Sequence, residues 1–439
     1  MENRVLTKYF KSLNDASPAN YEGHVISIKG MLISAHLPIS QMGSICEILS
    51  DKSNKNILCE VVGFDGDIVY LMPFLPMQGI SSGAKVVLKH LEPKVEISTS
   101  LLGRVINGLG EPLDDKGPIN YEGSAALYKQ APNPLKRDQI SDVMSLGVKA
   151  IDGFTTIGRG QRVGIMAGSG VGKSVLLGMM AKNAQADVNV IALIGERGRE
   201  AREFIEQILD EESLKRSVII VVTSDQSSVM RMRGAFLATS IAEYFSEKQN
   251  DVLLMMDSLT RFAMAQREIG LSVGEPPTTK GYTPSVFSLL PKLLERAGKE
   301  EGKGSITGLY TVLVEADDMN DPIADAVRSI VDGHIILTRK LAEQGHYPAI
   351  DILQSASRLM NHIVDDEHRN NALILKRQIS SYKEASDLIN IGAYQAGSNP
   401  EIDSAIRLKP AIDEFLRQNE KEEFNFDSAR IEMAKILGA

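Results

Sequence analysis

Tryptophan is absent from this 439-residue chain, cysteine occurs only twice, and aromatic residues make up 5% of the whole. The two thiols, Cys46 and Cys59, lie in strand-like apolar runs with no second pair nearby. That excludes a disulfide framework and fits buried thiols in a reducing compartment. No apolar stretch approaches the roughly 18 to 20 residues of a membrane-spanning helix. The first twenty residues are polar and mixed in charge, without the apolar core of a secretion signal, so a cytoplasmic protein is expected. Seven scattered histidines show no metal-ligand spacing, and zinc is not expected. Positive charge is also in deficit: 48 basic against 57 acidic residues leave a net charge of −9. With so few aromatic rings to stack on bases, this argues against nucleic acid as a partner.

What is present is chemistry for a phosphate. Ala167-Gly168-Ser169-Gly170-Val171-Gly172-Lys173-Ser174 lies between an apolar run, Val163 to Met166, and a helix-like stretch, Val175 to Ala184. This is a phosphate-binding loop, whose glycines let backbone N–H groups close around phosphate oxygens. Lys173 can reach the β and γ phosphates, and the Ser174 hydroxyl is placed to ligate Mg2+. A nucleoside triphosphate with magnesium is the expected ligand. Ala167 replaces the usual first glycine, which is tolerated where its φ stays negative. Asp257 ends the aliphatic run Leu253 to Met256, where it would hold the metal beside the phosphates; capping the next helix is the bland alternative. Glu196 follows the run Val190 to Ile194 and is suited to polarising the attacking water. Its neighbour Arg197 either binds phosphate or pairs with Glu200.

Length alone predicts two to four domains. Residues 1–20 place Val5, Leu6, Tyr9, Phe10 and Leu13 on one helical face, either packed on its own domain or docking a partner protein. Residues 21–94 read as a small β-barrel, from short runs such as His24 to Ile28, Ile57 to Val62 and Ile68 to Met72. In residues 95–354, Val188 to Ile194, Val218 to Thr223, Val252 to Met256 and Tyr310 to Val314 are near-continuous aliphatic runs, as parallel strands buried on both faces require. An α/β, RecA-like nucleotide-binding core follows. Thr283-Pro284 and Asp321-Pro322 open helices closing near Gly298 and Gly333. Gly270 to Thr283 shows no clear secondary structure, and residues 355–439 are mostly helical.

The segments AGSGVGKS, GERGRE and MMDSLTRFAMAQREIGLSVGEPPTTKGYTPSVF, in that order, resemble the catalytic subunit of rotary ATP synthases and, more closely, the type III protein export ATPases, among them the flagellum-specific ones. The similarity runs over nearly the whole chain and includes Gly103 to Asp114. It implies that the nucleotide is ATP, that Lys173 and Ser174 bind phosphate and Mg2+, that Glu196 activates water, that Arg197 and Arg261 contact the phosphates, and that Asp257 serves the metal. It further implies that Tyr347 stacks on adenine and that Arg358 is an arginine finger given to a neighbouring subunit.

One polypeptide thus carries both halves of a shared site, and a homohexamer is expected. In the resembled family, the Gly270 to Thr283 region faces the central hole, where Glu275 and Lys280 would couple the ring to a central stalk or to exported chains. Other implied partners are export substrates with their chaperones, a regulator or stator protein at the N-terminal helix, and the inner face of the cytoplasmic membrane. Flagellar export is the leading reading, with a virulence injectisome as the alternative. A non-catalytic rotary subunit is disfavoured by Glu196. An RNA motor is disfavoured by the acidic balance.

Overall fold

A computed structural model describes residues 21–49, 56–77, 79–314 and 318–438. The N-terminal docking helix expected over residues 1–20 lies outside the described residues. Two compact units divide the chain, the first built on residues up to Lys94 and the second running from Val95 through the C-terminal helices.

The first unit is a closed barrel in the order β1-β2-β5-β4-β3-β6, with β1 Glu22–Lys29, β2 Leu32–His36, β3 Ile45–Ile48, β4 Ile57–Asp65, β5 Ile68–Pro73 and β6 Lys85–His90. Closure leaves no exposed sheet edge. Side chains of period two fill the interior, among them Val25, Ile33, Ala35, Ile48, Val61, Leu71 and Val86. Cys46 and Cys59 are register partners on β3 and β4, free and buried. Burial pushes the Cys46 thiol up to about 12, so neither carries thiolate chemistry at neutral pH.

The second unit opens with a two-stranded sheet, β7 Lys94–Ile97 and β9 Gly123–Ala126. Its main sheet runs β17-β16-β10-β15-β13-β11-β12-β8. These are β8 Arg104–Ile106, β10 Arg162–Ala167, β11 Val188–Glu196, β12 Ser217–Thr223, β13 Val252–Asp257, β15 Ser305–Leu313, β16 Gly333–Leu337 and β17 Ala356–Ser357, with β14 Gly298–Lys299 paired to β15. All pairings are parallel except those of β14 and β17. The sequence pattern under-reads β15, which begins five residues before Tyr310. Its first half alternates polar or small residues with Ile306, all buried: Ser305 binds Asp251, and the Thr307 hydroxyl accepts from the Gly160 N–H at 2.9 Å.

Helix signals fix the remaining elements. Pro284–Leu294 and Pro322–Ile330 start on their prolines, and the Asp321 side chain caps the latter through the N–H groups of Ile323 and Ala324. The helix Leu259–Ser272 extends three residues into the segment expected to be irregular, which then holds a single tight turn, Thr279–Gly281. The C-terminal helices Asp366–Asn390, Pro400–Leu416 and Phe426–Leu437 pack on the short helix Lys149–Phe154. Gly153 permits that approach, because a Cβ there would sit 2.9 Å from Met433 Sδ and 3.2 Å from the Phe415 ring.

Candidate active site

The loop between β10 and the helix Lys173–Asn183 turns on Gly170 and Gly172, at φ +79° and +88°, values that side-chain-bearing residues resist. Ala167 is the last residue of β10 and keeps a strand conformation, so the missing first glycine costs nothing. Ser169, Gly170 and Ser174 are exposed, leaving the loop open to a ligand. The far end of the phosphate-loop helix is anchored by Arg216. Its guanidinium donates to the carbonyls of Ala181, Lys182, Ala184 and Ala186 at 2.6 to 3.1 Å, satisfying C-terminal carbonyls that a helix leaves unpaired.

Parallel register brings the carboxylates together. β11 lies beside β13, with Leu193 opposite Asp257, so Glu196 and Asp257 emerge at the same carboxyl edge as the phosphate loop. Lys173 Nζ pairs with Asp257 Oδ1 and lies 3.6 Å from Glu196 Oε1. The Asp257 side chain is nearly buried, and its Oδ1 also accepts a 2.7 Å hydrogen bond from the Thr311 hydroxyl on β15. Glu196 Oε1 is buried and accepts no hydrogen bond among the described residues. Burial raises the Glu196 carboxyl above its ordinary range; Lys173 opposes that shift and Asp257 adds to it. Gly195, at φ +73°, lets the Arg261 stem cross the strand end, since a Cβ there would meet Arg261 Cβ at 2.7 Å.

The other sequence-predicted residues fall at different distances from this centre. Arg261 lies over Gly195, its Nε buried without a hydrogen bond. Arg197 has a side chain 77% exposed and pairs with Glu200 at 2.8 Å, the second of its two sequence readings. Tyr347 is 46% exposed, so it is not a core aromatic, and its ring carbons lie 3.5 Å from where a Gly172 Cβ would stand. Its carbonyl accepts from the backbone N–H of Gln418, a buried amide that also bonds Lys149 and Gly147. Arg358 is exposed beside β17 and donates to the Arg328 carbonyl at 3.1 Å, with no bond to its own phosphate loop among the described residues. Thr311 and Gln418 escaped the sequence reading. For Thr311 the signal was a hydroxyl set inside a buried aliphatic run.

The donor chemistry fits magnesium carried by a nucleotide. Ser174 offers a hydroxyl at the helix start and Asp257 a carboxylate beside it, both hard oxygens. Among the described residues no cluster of three or more His, Cys, Asp or Glu side chains forms an all-protein metal cage, and a phosphate-borne Mg2+ needs none.

Comparison with known proteins bears on the same regions. Residues 147–357 match the nucleotide-binding domain of the ATP synthase alpha/beta family, residues 25–88 match its beta-barrel domain, and residues 364–435 match the T3SS EscN ATPase C-terminal domain. The chain is 49% identical to the flagellum-specific ATP synthase of Bacillus subtilis over 417 residues, 95% of each chain. It is 48% identical to the type 3 secretion system ATPase of Xanthomonas euvesicatoria, over 90% of this chain and 89% of that one. The structure is similar to the assembled ATPase EscN of the enteropathogenic E. coli type III secretion system, with TM-score 0.90 and 47% identity, covering 94% of this chain and all of that one. Similarity to EscN in complex with its central stalk EscO gives TM-score 0.88 at 46% identity, covering 94% of this chain and 100% of that chain.

Proposed function

Since the chain belongs to the ATP synthase alpha/beta family, in its branch of flagellum-specific and type III secretion ATPases, and is therefore an ATPase, we propose that it hydrolyses ATP at subunit interfaces of a homohexamer to drive type III protein export. One observation carries the catalytic reading: a buried, unbonded Glu196 oxygen beside the Lys173–Asp257 pair, facing an open phosphate loop. On ATP binding, Lys173 leaves Asp257 for the β and γ phosphates, and backbone N–H groups from Gly168 to Ser174 surround them. Ser174 and Asp257 would hold Mg2+, which would offset phosphate charge. Glu196 orients water for in-line attack on the γ phosphorus, giving ADP and phosphate.

Arg261 and Arg197 complete the cationic surround. Arg197 gives up an exposed ion pair worth at most about 1 kcal/mol to do so. Tyr347 stacks on adenine. Arg358 serves the neighbouring subunit's site, where such a finger contributes roughly 10³- to 10⁵-fold in rate. Support for this comes from its exposure and its lack of any bond to its own loop. Support for the ring comes from the similarity to assembled EscN, and for a central stalk partner from the complex with EscO.

Export substrates, their chaperones and a regulator or stator at the N-terminal helix are the remaining partners, with the enzyme peripheral to the cytoplasmic membrane. Among the described residues no helix is long and apolar enough to cross one. The flagellar system is the preferred setting, given the names of relatives at 45–49% identity. The Xanthomonas relative, at 48%, supports an injectisome as the second reading. Mixing tests the shared site: Glu196→Gln and Arg358→Ala proteins, each inactive, regain part of wild-type turnover when combined in one ring. Absence of recovery in verified mixed rings rejects the interface reading.

A further inference from the structure

We infer that Thr311 is a positioning residue for the metal-binding carboxylate, holding Asp257 in place when Lys173 departs for the phosphates. The inference rests on the proposed role of Asp257. Both protein partners of that carboxylate among the described residues, Lys173 Nζ and the Thr311 hydroxyl, use the same oxygen, Oδ1. Oδ2 therefore has no protein partner and is available to a metal or its water. Nucleotide binding weakens one of the two Oδ1 partners, because the N–H donors of the Lys173 ammonium are drawn to the stronger negative charge of the β and γ phosphates. Thr311 is then the remaining partner that keeps the carboxylate from rotating about its Cβ–Cγ bond.

Its own setting suits this task. Thr311 is fully buried on the central strand β15, adjacent to β13, which carries Asp257. Branching at Cβ restricts its χ1 rotamers. The alternative acceptor of the hydroxyl, the Met256 carbonyl, lies at 3.3 Å, whereas the carboxylate oxygen lies at 2.7 Å, so the proton goes to Asp257. A hydrogen bond to an ionised acceptor is roughly twice as strong as a neutral one. Among its neighbours on the strand Leu309, Tyr310 and Val312 are buried and Leu313 half-buried, and the bond to Asp257 spares the Thr311 hydroxyl the desolvation cost of an unpaired buried group.

The test compares Thr311→Val, which keeps the shape and loses the donor, with Thr311→Ser, which keeps the donor. Binding of a fluorescent ATP analogue is titrated with Mg2+ present and with the metal chelated, and turnover is measured against Mg2+ concentration. Thr311→Val is expected to bind metal-free nucleotide as wild type does, bind the magnesium complex about 10-fold more weakly, and need correspondingly more Mg2+ for half-maximal turnover. Thr311→Ser is expected to restore both. Wild-type Mg2+ dependence in Thr311→Val overturns the inference, as does equal weakening of metal-free and metal-bound nucleotide, which marks a merely structural role. Asp257→Asn separates the levels: if it too leaves Mg2+ dependence unchanged, the failure lies in the reading of Asp257 and not in that of Thr311.

Discussion

A carboxylate becomes a useful water-positioning base when its surroundings leave it an unsatisfied oxygen, and Glu196 is in that state. Glu196→Gln keeps the size but loses the charge, and turnover should fall at least about 100-fold while nucleotide affinity, measured by equilibrium titration, stays within about 3-fold. Burial raises its pKa, so the proton is held to higher pH than an ordinary glutamate would hold it. The reactive form is the ionised one. The kcat/KM for ATP should therefore decline as pH falls through that raised value, on an acid limb above the usual carboxylate range, as a pH–rate profile at ATP well below KM will register. Lys173 and Asp257 were legible as a pair of roles from their motifs. Their mutual ion pair was not, because a helix start and a strand end 84 residues apart in sequence had first to be brought together.

At the scale of elements, the phosphate loop depends on what holds its helix from behind. Arg216 satisfies four carbonyls at the far end of Lys173–Asn183, and Arg216→Ala should lower stability by about 1–3 kcal/mol in chemical denaturation. Asp321 is a similar device at the other polarity. Asp321→Ala should cost about 1 kcal/mol through loss of the helix cap, and it leaves Lys280, paired with Asp321 at 3.2 Å and Asp318 at 3.7 Å, with the second partner alone.

The junction with the C-terminal helices contains a buried acid, Asp152, which accepts hydrogen bonds from Ser145, Leu146 and Gly147. Burial raises its pKa to about 6 in spite of them. A carboxyl raised above its unfolded value favours folding below that unfolded value and loses the contribution as pH rises through about 6. Stability should thus fall between about pH 4 and 6 by roughly 3 kcal/mol, with the thermal midpoint following it, and Asp152→Ala should abolish that slope. Helix starts such as Asp321-Pro322 were readable because capping is local. The depth of Asp152 was not, because it is set by helices more than 200 residues away in sequence.

At the scale of the whole molecule, Arg358 is exposed and makes no bond to its own phosphate loop among the described residues. Arg358 and Glu196 belong to one chain but, in the proposed ring, to different sites. Specific ATPase activity should therefore rise steeply with protein concentration as rings assemble. A fully active monomer, identified by light scattering alongside the assay, would remove the shared-site reading.

The sequence by itself determined the phosphate loop, the order of barrel, α/β core and helical end, and the candidate reacting side chains. Each of these depends on neighbours within a few residues: glycine spacing, alternation of apolar positions, a carboxylate at the end of an aliphatic run. Only the tertiary structure decided which of those groups meet. Parallel pairing of β11, β13 and β15 aligned Glu196, Asp257 and Thr311 at one edge, and chain folding set Arg358 against the Arg328 carbonyl. Register and packing are properties of distant segments brought together, and no local pattern encodes which oxygen a hydroxyl will reach.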